Sequence, residues 1–196
     1  MIRVRRPATR EIEAVLGSSA APFSYPEVGA TAKWDSQEVG AALAARYDVD
    51  RHEFALGTGR ARFERAVGAL SSWRHFEIPW LELHGAGAVE PGRVVAVVVR
   101  LIGVWFLNPC RVVYANLSSE LDSAAFAYGT LRGHAECGEE RFSVSFDPMS
   151  ELVRYRITAF SRPAIAASKL GYPFARRVQR CFAVSSAKAL TRAVET

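Results

Sequence analysis

Cysteine is scarce in this sequence. Its three cysteines, Cys110, Cys137 and Cys181, are odd in number and widely spaced. No CxxC pair occurs, which argues against a disulfide framework, a zinc ribbon or a redox dithiol. The thiols are therefore expected to be free, in a reducing and cytoplasmic setting. Long hydrophobic runs are missing too. The most apolar stretch, Val94 to Leu107, is shorter than the roughly 20 residues a membrane-spanning helix needs, and Arg100 divides it. The start, MIRVRRPATREIEAVLG, is basic but has Arg, Thr and Glu where a signal peptide needs an apolar core, so neither secretion nor a membrane span is expected. There is no internal repeat, no low-complexity tract and no linker long enough to separate domains, and residues 1–196 are expected to form a single domain. With 49% hydrophobic and 23% charged residues, that domain can bury a core without a staple.

Apolar periodicity supplies the elements. Ile12, Val15 and Leu16 predict a short helix within residues 2–20, ended by GSSAAP. The prolines and glycine of FSYPEVGAT then place Tyr25 and Glu27 on a loop or short edge strand. In RARFERAVGALSSW, Phe63, Val67 and Leu70 recur at helical spacing and predict a helix with one buried face. The preceding GTGR has two glycines of a dinucleotide fingerprint but lacks the third, and no apolar strand leads into it.

From Ile78 the pattern turns to β: IPWLEL, RVVAVVVRL, CRVVYANL, FAYGTL, ERFSVSF and LVRYRITAF, separated by turn-forming residues. Short connections predict antiparallel pairing. In the last hairpin Phe142, Val144 and Phe146 face the core with Val153, Tyr155, Ile157 and Ala159, and the other side is expected to be wet and basic through Arg141, Arg154 and Arg156. A terminal helix is expected from about Pro173 to Val194, with Phe174, Val178, Cys181, Phe182, Ser185 and Ala189 as its apolar stripe. The predicted class is α+β: a curved antiparallel sheet of six or more strands wrapped around a long C-terminal helix.

Net charge is +5, and from Glu151 onward nine Lys or Arg stand against two Glu. Such a surface attracts phosphate regardless of sequence. No recognisable nucleic-acid-binding motif accompanies it, so a solvated helix face is the simpler account and nucleic acid is not expected as a partner.

The motifs FSYPEVGAT, NPCRVVY, FAYGTLRGHAECGEERF, AFSRP and LGYPFARRVQRCFAVSSAKAL occur in this order. Together they resemble uncharacterised protein family 0548 of bacteria and plants, over about Phe23 to Leu190. Ala135 stands where many relatives have Pro, and the stretch from Lys33 to Glu53 matches less well. The resemblance carries no catalytic residues to transfer. It implies a helix-grip fold similar to lipid-transfer and polyketide-cyclase domains.

Candidate site residues cluster around FAYGTLRGHAECGEER, read as two strands about an eight-residue loop. His134 near Glu139, Glu140 and Arg141 is a combination able to exchange protons near neutral pH. The structural alternative pairs Glu139 or Glu140 with Arg154 or Arg156. A metal held by His134, Cys137 and Glu139, or Cys137 as a nucleophile with His134 as its base, lacks visible supporting groups. No metal or cofactor is expected. Tyr128 and Thr130 share a strand face, while Tyr25, Glu27, Ser161 and Arg162 approach from elsewhere; each either points into a cavity or closes a polar network. Trp80, Trp105, Phe106, Tyr114 and Tyr128 are candidate walls.

The residues therefore point first to a small-molecule binding protein with an enclosed, largely hydrophobic pocket. Next comes an enzyme using His134 with Glu139 or Glu140 as acid and base. An anion or nucleic-acid binder acting through Arg154, Arg156 and the terminal helix is third.

Overall fold

The computed structural model describes residues 2–34, 37–164 and 172–195. Along the chain run β1 (Ile2–Arg3), α1 (Thr9–Leu16), α2 (Gln37–Ala44), β2 (Asp48–Thr58), α3 (Arg60–Ser71), β3 (Leu81–His84), β4 (Val94–Leu101) and β5 (Val104–Asn116). They are followed by β6 (Ser123–Thr130), β7 (Glu136–Phe146), β8 (Leu152–Pro163) and α4 (Tyr172–Glu195). Single 310 turns form at Ala30–Lys33 and Arg74–Phe76.

Every strand pairing is antiparallel, in the order β2-β8-β7-β6-β5-β4-β3, with β1 added beside β5. All six strands expected from Ile78 onward are present. β2 has no counterpart among the expected strands: it pairs with β8 from Asp48↔Ser161 to Thr58↔Leu152 and leads directly into the glycines before α3. The GTGR segment thus does follow a strand, although the third glycine is still lacking.

Period-two alternation sorts the sheet into two faces. On the concave side Val95, Val97, Cys110, Val112, Phe126, Phe142, Val144, Val153, Tyr155 and Ile157 join α3 and α4 in one core. Phe63, Val67 and Leu70 of α3 are all buried there, as their spacing predicts. On the convex side Ile12 of α1 packs on Ala96, Val98 and Leu107. The face expected to be wet is also largely covered: Tyr25, Trp34, Leu43 and Tyr47 enclose Phe160, while Ser143 and Thr158 are buried. Arg154 and Arg156 remain at its margin, both paired with Glu53.

The stripe expected on α4 needs correction. Ala183, Ser186, Ala187, Ala189, Leu190 and Val194 are buried, whereas Cys181 is exposed and Ser185 only half-buried. The side chain of Phe174 lies outside the described residues. Phe182 meets Phe76 at 5.5 Å and Phe142 at 6.3 Å between ring centroids, which sets α4 against the concave core. No helix among the described residues is long and apolar enough to cross a membrane.

Candidate functional site

The concave face is filled unevenly. Toward α3 it is packed with aromatics: Trp73, Phe76, Phe126, Phe142 and Tyr155 surround His75, which is fully buried. Toward the β6–β7 turn and the first half of α4 it is hollow. A cavity of about 370 Å³ opens there, walled by Trp80, Val97, Phe106, Ile157, Val178 and Phe182. Of the walls anticipated, Trp80, Phe106 and Tyr128 line it. Trp105 instead packs beneath α1, and the Tyr114 hydroxyl lies 2.8 Å from Thr31 Oγ1 on the convex side.

One end of the cavity is polar. Glu136 and Glu140, four residues apart on β7, both point inward, with Gly138 between them. A Cβ on Gly138 would stand 1.9 Å from the carbonyl oxygen of Phe160, so only glycine fits the approach of β8. The Tyr128 hydroxyl donates to Glu140 Oε2 at 2.6 Å. Burial pushes the Glu140 carboxyl up to about 7, and burial likewise raises that of Glu136. Gln179 Nε2 of α4 donates to both Glu136 oxygens at 2.9 Å and to Ser161 Oγ at 3.2 Å. Asp50 and His52 of β2 complete this end, and Arg176 forks onto Asp50, with Nη2 2.7 Å from Oδ1.

His134 lines the same cavity in a role different from the one expected. Its Nδ1 accepts the backbone N–H of Glu136 at 2.9 Å, so the neutral ring carries its proton on Nε2. Burial pushes its pKa down to about 3. It is therefore neutral near pH 7 and a poor proton acceptor there. The eight-residue loop also shortens to Leu131–Ala135, because β7 begins at Glu136. Thr130 Oγ1 takes the Gly138 N–H at 2.9 Å across the start of that hairpin.

The remaining predicted residues lie on the other side of the sheet. Adjacent residues of a strand face opposite ways, and Glu139 sends its carboxylate outward. There it accepts hydrogen bonds from Tyr25 Oη at 2.7 Å, the Gly29 N–H at 2.7 Å, the Thr31 N–H at 3.0 Å and Thr31 Oγ1. Gly129 makes room for Tyr25, whose Oη would lie 2.0 Å from any Cβ at that position. Glu27 accepts from Arg46 and Tyr47, and the Arg162 guanidinium lies 5.2 Å above the Tyr47 ring. Arg141 alternates to this face with Glu139.

Of the ten candidate residues, Tyr128, Thr130, His134, Glu140 and Ser161 gather at the cavity. Tyr25, Glu27, Arg141 and Arg162 instead hold the convex side, and Glu139 borders the cavity while its carboxylate is taken up by Tyr25, Gly29 and Thr31 on that convex side. Neither proposed arginine pairing for Glu139 or Glu140 forms, since Arg154 and Arg156 both go to Glu53. No group of three or more His, Cys, Asp or Glu among the described residues is arranged to hold a metal. Sequence reasoning missed Asp50, His52, Asn108, Glu136, Arg176 and Gln179. A signal existed for Glu136 alone, since it shares strand parity with Glu140.

Comparison with known proteins agrees with this architecture. A model of the domain of unknown function DUF1990 matches residues 24–189. A UPF0548 protein of Arabidopsis thaliana is 39% identical over 143 residues, 71% of this chain and 69% of the relative. One from Dictyostelium discoideum is 33% identical over 160 residues, 76% of this chain and 74% of the relative. Among solved structures, the ZhuI aromatase/cyclase from Streptomyces sp. R1128 superposes with a TM-score of 0.55 at 13% identity, covering 76% of this chain and 94% of its own. That likeness is one of fold, the helix-grip arrangement of a curved sheet around a C-terminal helix.

Proposed function

Since the chain belongs to the DUF1990 family, whose name leaves its function open, we propose that it binds a small, largely apolar molecule in the cavity between the concave sheet and α4. The carrying observation is the unfilled volume. Protein cores pack to near crystal density and a dry void of this size is costly, whereas pockets of roughly 300–1,000 Å³ are typical of small-ligand sites. An apolar wall with a few convergent polar groups at one end is the usual build of such a site. A cytoplasmic setting belongs to the same reading and is supported by the three free cysteines.

Fluorescence titration with the neutral apolar probe N-phenyl-1-naphthylamine tests the proposal. Binding to the wild type is expected, with loss of binding in Ala159→Trp, where the indole would fill the cavity. Equal affinity in the wild type and a folded Ala159→Trp variant would refute the reading.

One observation favours a second reading, acid–base catalysis in the same cavity. Glu140, held near 7 and hydrogen-bonded to Tyr128, is poised to exchange a proton at physiological pH. Glu140 replaces Glu139 in that role, and His134 drops out of it. If this reading holds, Glu140→Gln will retain a ligand that copurifies with the wild type but no longer convert it, as read by native mass spectrometry.

A further inference from the structure

We propose that the ligand is a cation, an amine with an aromatic or aliphatic body whose ammonium sits between Glu136 and Glu140 above Gly138. This rests on the cavity being the ligand site and adds the chemistry of what enters it.

The argument starts from charge. The chain as a whole carries +5, yet among the described residues the cavity lining takes the opposite sign: Asp50, Glu136 and Glu140 line it, with the Arg176 guanidinium beside Asp50. That guanidinium forks onto Asp50. Among the described residues, the hydrogen bonds to the other two carboxylates come from neutral groups, the Gln179 amide and Ser161 hydroxyl on Glu136 and the Tyr128 hydroxyl on Glu140, while the Arg176 charge reaches Glu136 through space. A buried carboxylate is costly without a countercharge, and an ammonium supplies one with donors to spare.

Shape adds a separate observation. Gly138 carries no side chain between the two glutamates, and β8 lies too close for any other residue there. Gly138 thus leaves bare backbone between the two glutamates, whose charges lie close enough for Glu136 to add to burial in raising the Glu140 pKa. Tyr128, Trp80, Phe106 and Phe182 line the same cavity, and aromatic faces attract cations as well as apolar bodies. A carboxylate ligand would instead meet like charge, and an alcohol would add no countercharge for the glutamates.

The test is displacement of N-phenyl-1-naphthylamine by octylamine, 1-octanol and octanoate, three ligands sharing one tail. It is run at pH 8, above the point near 7 where Glu140 ionises. Octylamine is expected to displace the probe at about tenfold lower concentration than octanol, the ratio one charge-assisted contact gives, with octanoate the weakest. In Glu136→Gln/Glu140→Gln the octylamine-to-octanol ratio should fall to near one. Should the double variant fail to fold, each single Gln variant must lower that ratio.

Octanol or octanoate equalling octylamine, or an amine preference that survives the Gln substitutions, overturns the cation proposal and leaves the cavity reading standing. Failure of the neutral probe to bind, or equal binding by Ala159→Trp, removes the cavity reading and this inference with it.

Discussion

Glu139 and Glu140 are neighbours in sequence and opposites in surroundings. On the convex side, Glu139 is almost fully buried and takes hydrogen bonds from Tyr25, Thr31 and two backbone amides, which tie the segment around FSYPEVGAT to the sheet. On the concave side, Glu140 is half-buried, receives the Tyr128 hydroxyl and faces a hollow. One carboxylate closes a network; the other waits on a cavity. The contrast teaches that a charged residue in a strand must be judged by how many donors converge on it. Convergence marks structure, and a carboxylate facing open volume marks a candidate site.

The comparison can be broken first at Glu139. Glu139→Ala strands its donors without an acceptor and is expected to cost about 3–5 kcal/mol in urea unfolding. A loss below about 1 kcal/mol would mean the convex network does not bear on stability. Next comes His75, whose ring nitrogens find no hydrogen-bond partner among the described residues. His75→Leu should raise stability by about 1–3 kcal/mol, because burying the imidazole brings no compensating bond.

The same substitution should reshape the acid limb. Burial lowers the His75 pKa from 6.5 to about 3. In that window the unfolded chain binds a proton that the folded chain refuses, so wild-type stability falls as pH drops from 6.5 toward 3. The variant should lose less over that range, and identical slopes would contradict His75's burial.

The last expected effect is at Glu140, and it runs in the opposite direction with pH. Burial raises its pKa from 4.5 to about 7, so its contribution is intact below 4.5 and is lost as pH rises through 7. Glu140→Gln should therefore be more stable than the wild type at pH 8, by up to about 3 kcal/mol, with no difference at pH 4. A variant that proved as damaging as Glu139→Ala would erase the distinction between the two faces.

Much of the fold was legible because six strands alternate cleanly or run apolar between turn residues, and α3 shows its buried stripe at the right period. What escaped shares one cause. β2, DVDRHEFALGT, has polar residues on both faces near its start, and Glu136–Glu140 extends β7 with glutamates on both faces. Neither stretch offers the apolar alternation by which a strand is read. Those stretches furnish Asp50, His52, Glu136 and Glu140, so the polarity that hid the strands is the polarity of the candidate site. With the start of β7 hidden, the β6–β7 loop looks long and Glu139 and Glu140 look interchangeable. The pairing of Tyr25 with Glu139 spans 114 residues, and no local pattern encodes it.

The sheet order also has a kinetic meaning. β2 and β3 end the strand path, and both ends contribute to the cavity wall, through Asp50 and His52 and through Trp80 and Leu81. Along this margin Val178 and Phe182 of α4 meet the cavity by side-chain contact, while every interior strand is held to two neighbours by ladder hydrogen bonds. A guest leaving through the interior of the sheet would have to unzip a ladder; one leaving past α4 needs only rotamer changes and a small separation of apolar surfaces. For a guest bound as proposed, residence time would therefore follow how tightly α4 closes the margin, and a mutation at Val178 should alter the dissociation rate more than the association rate.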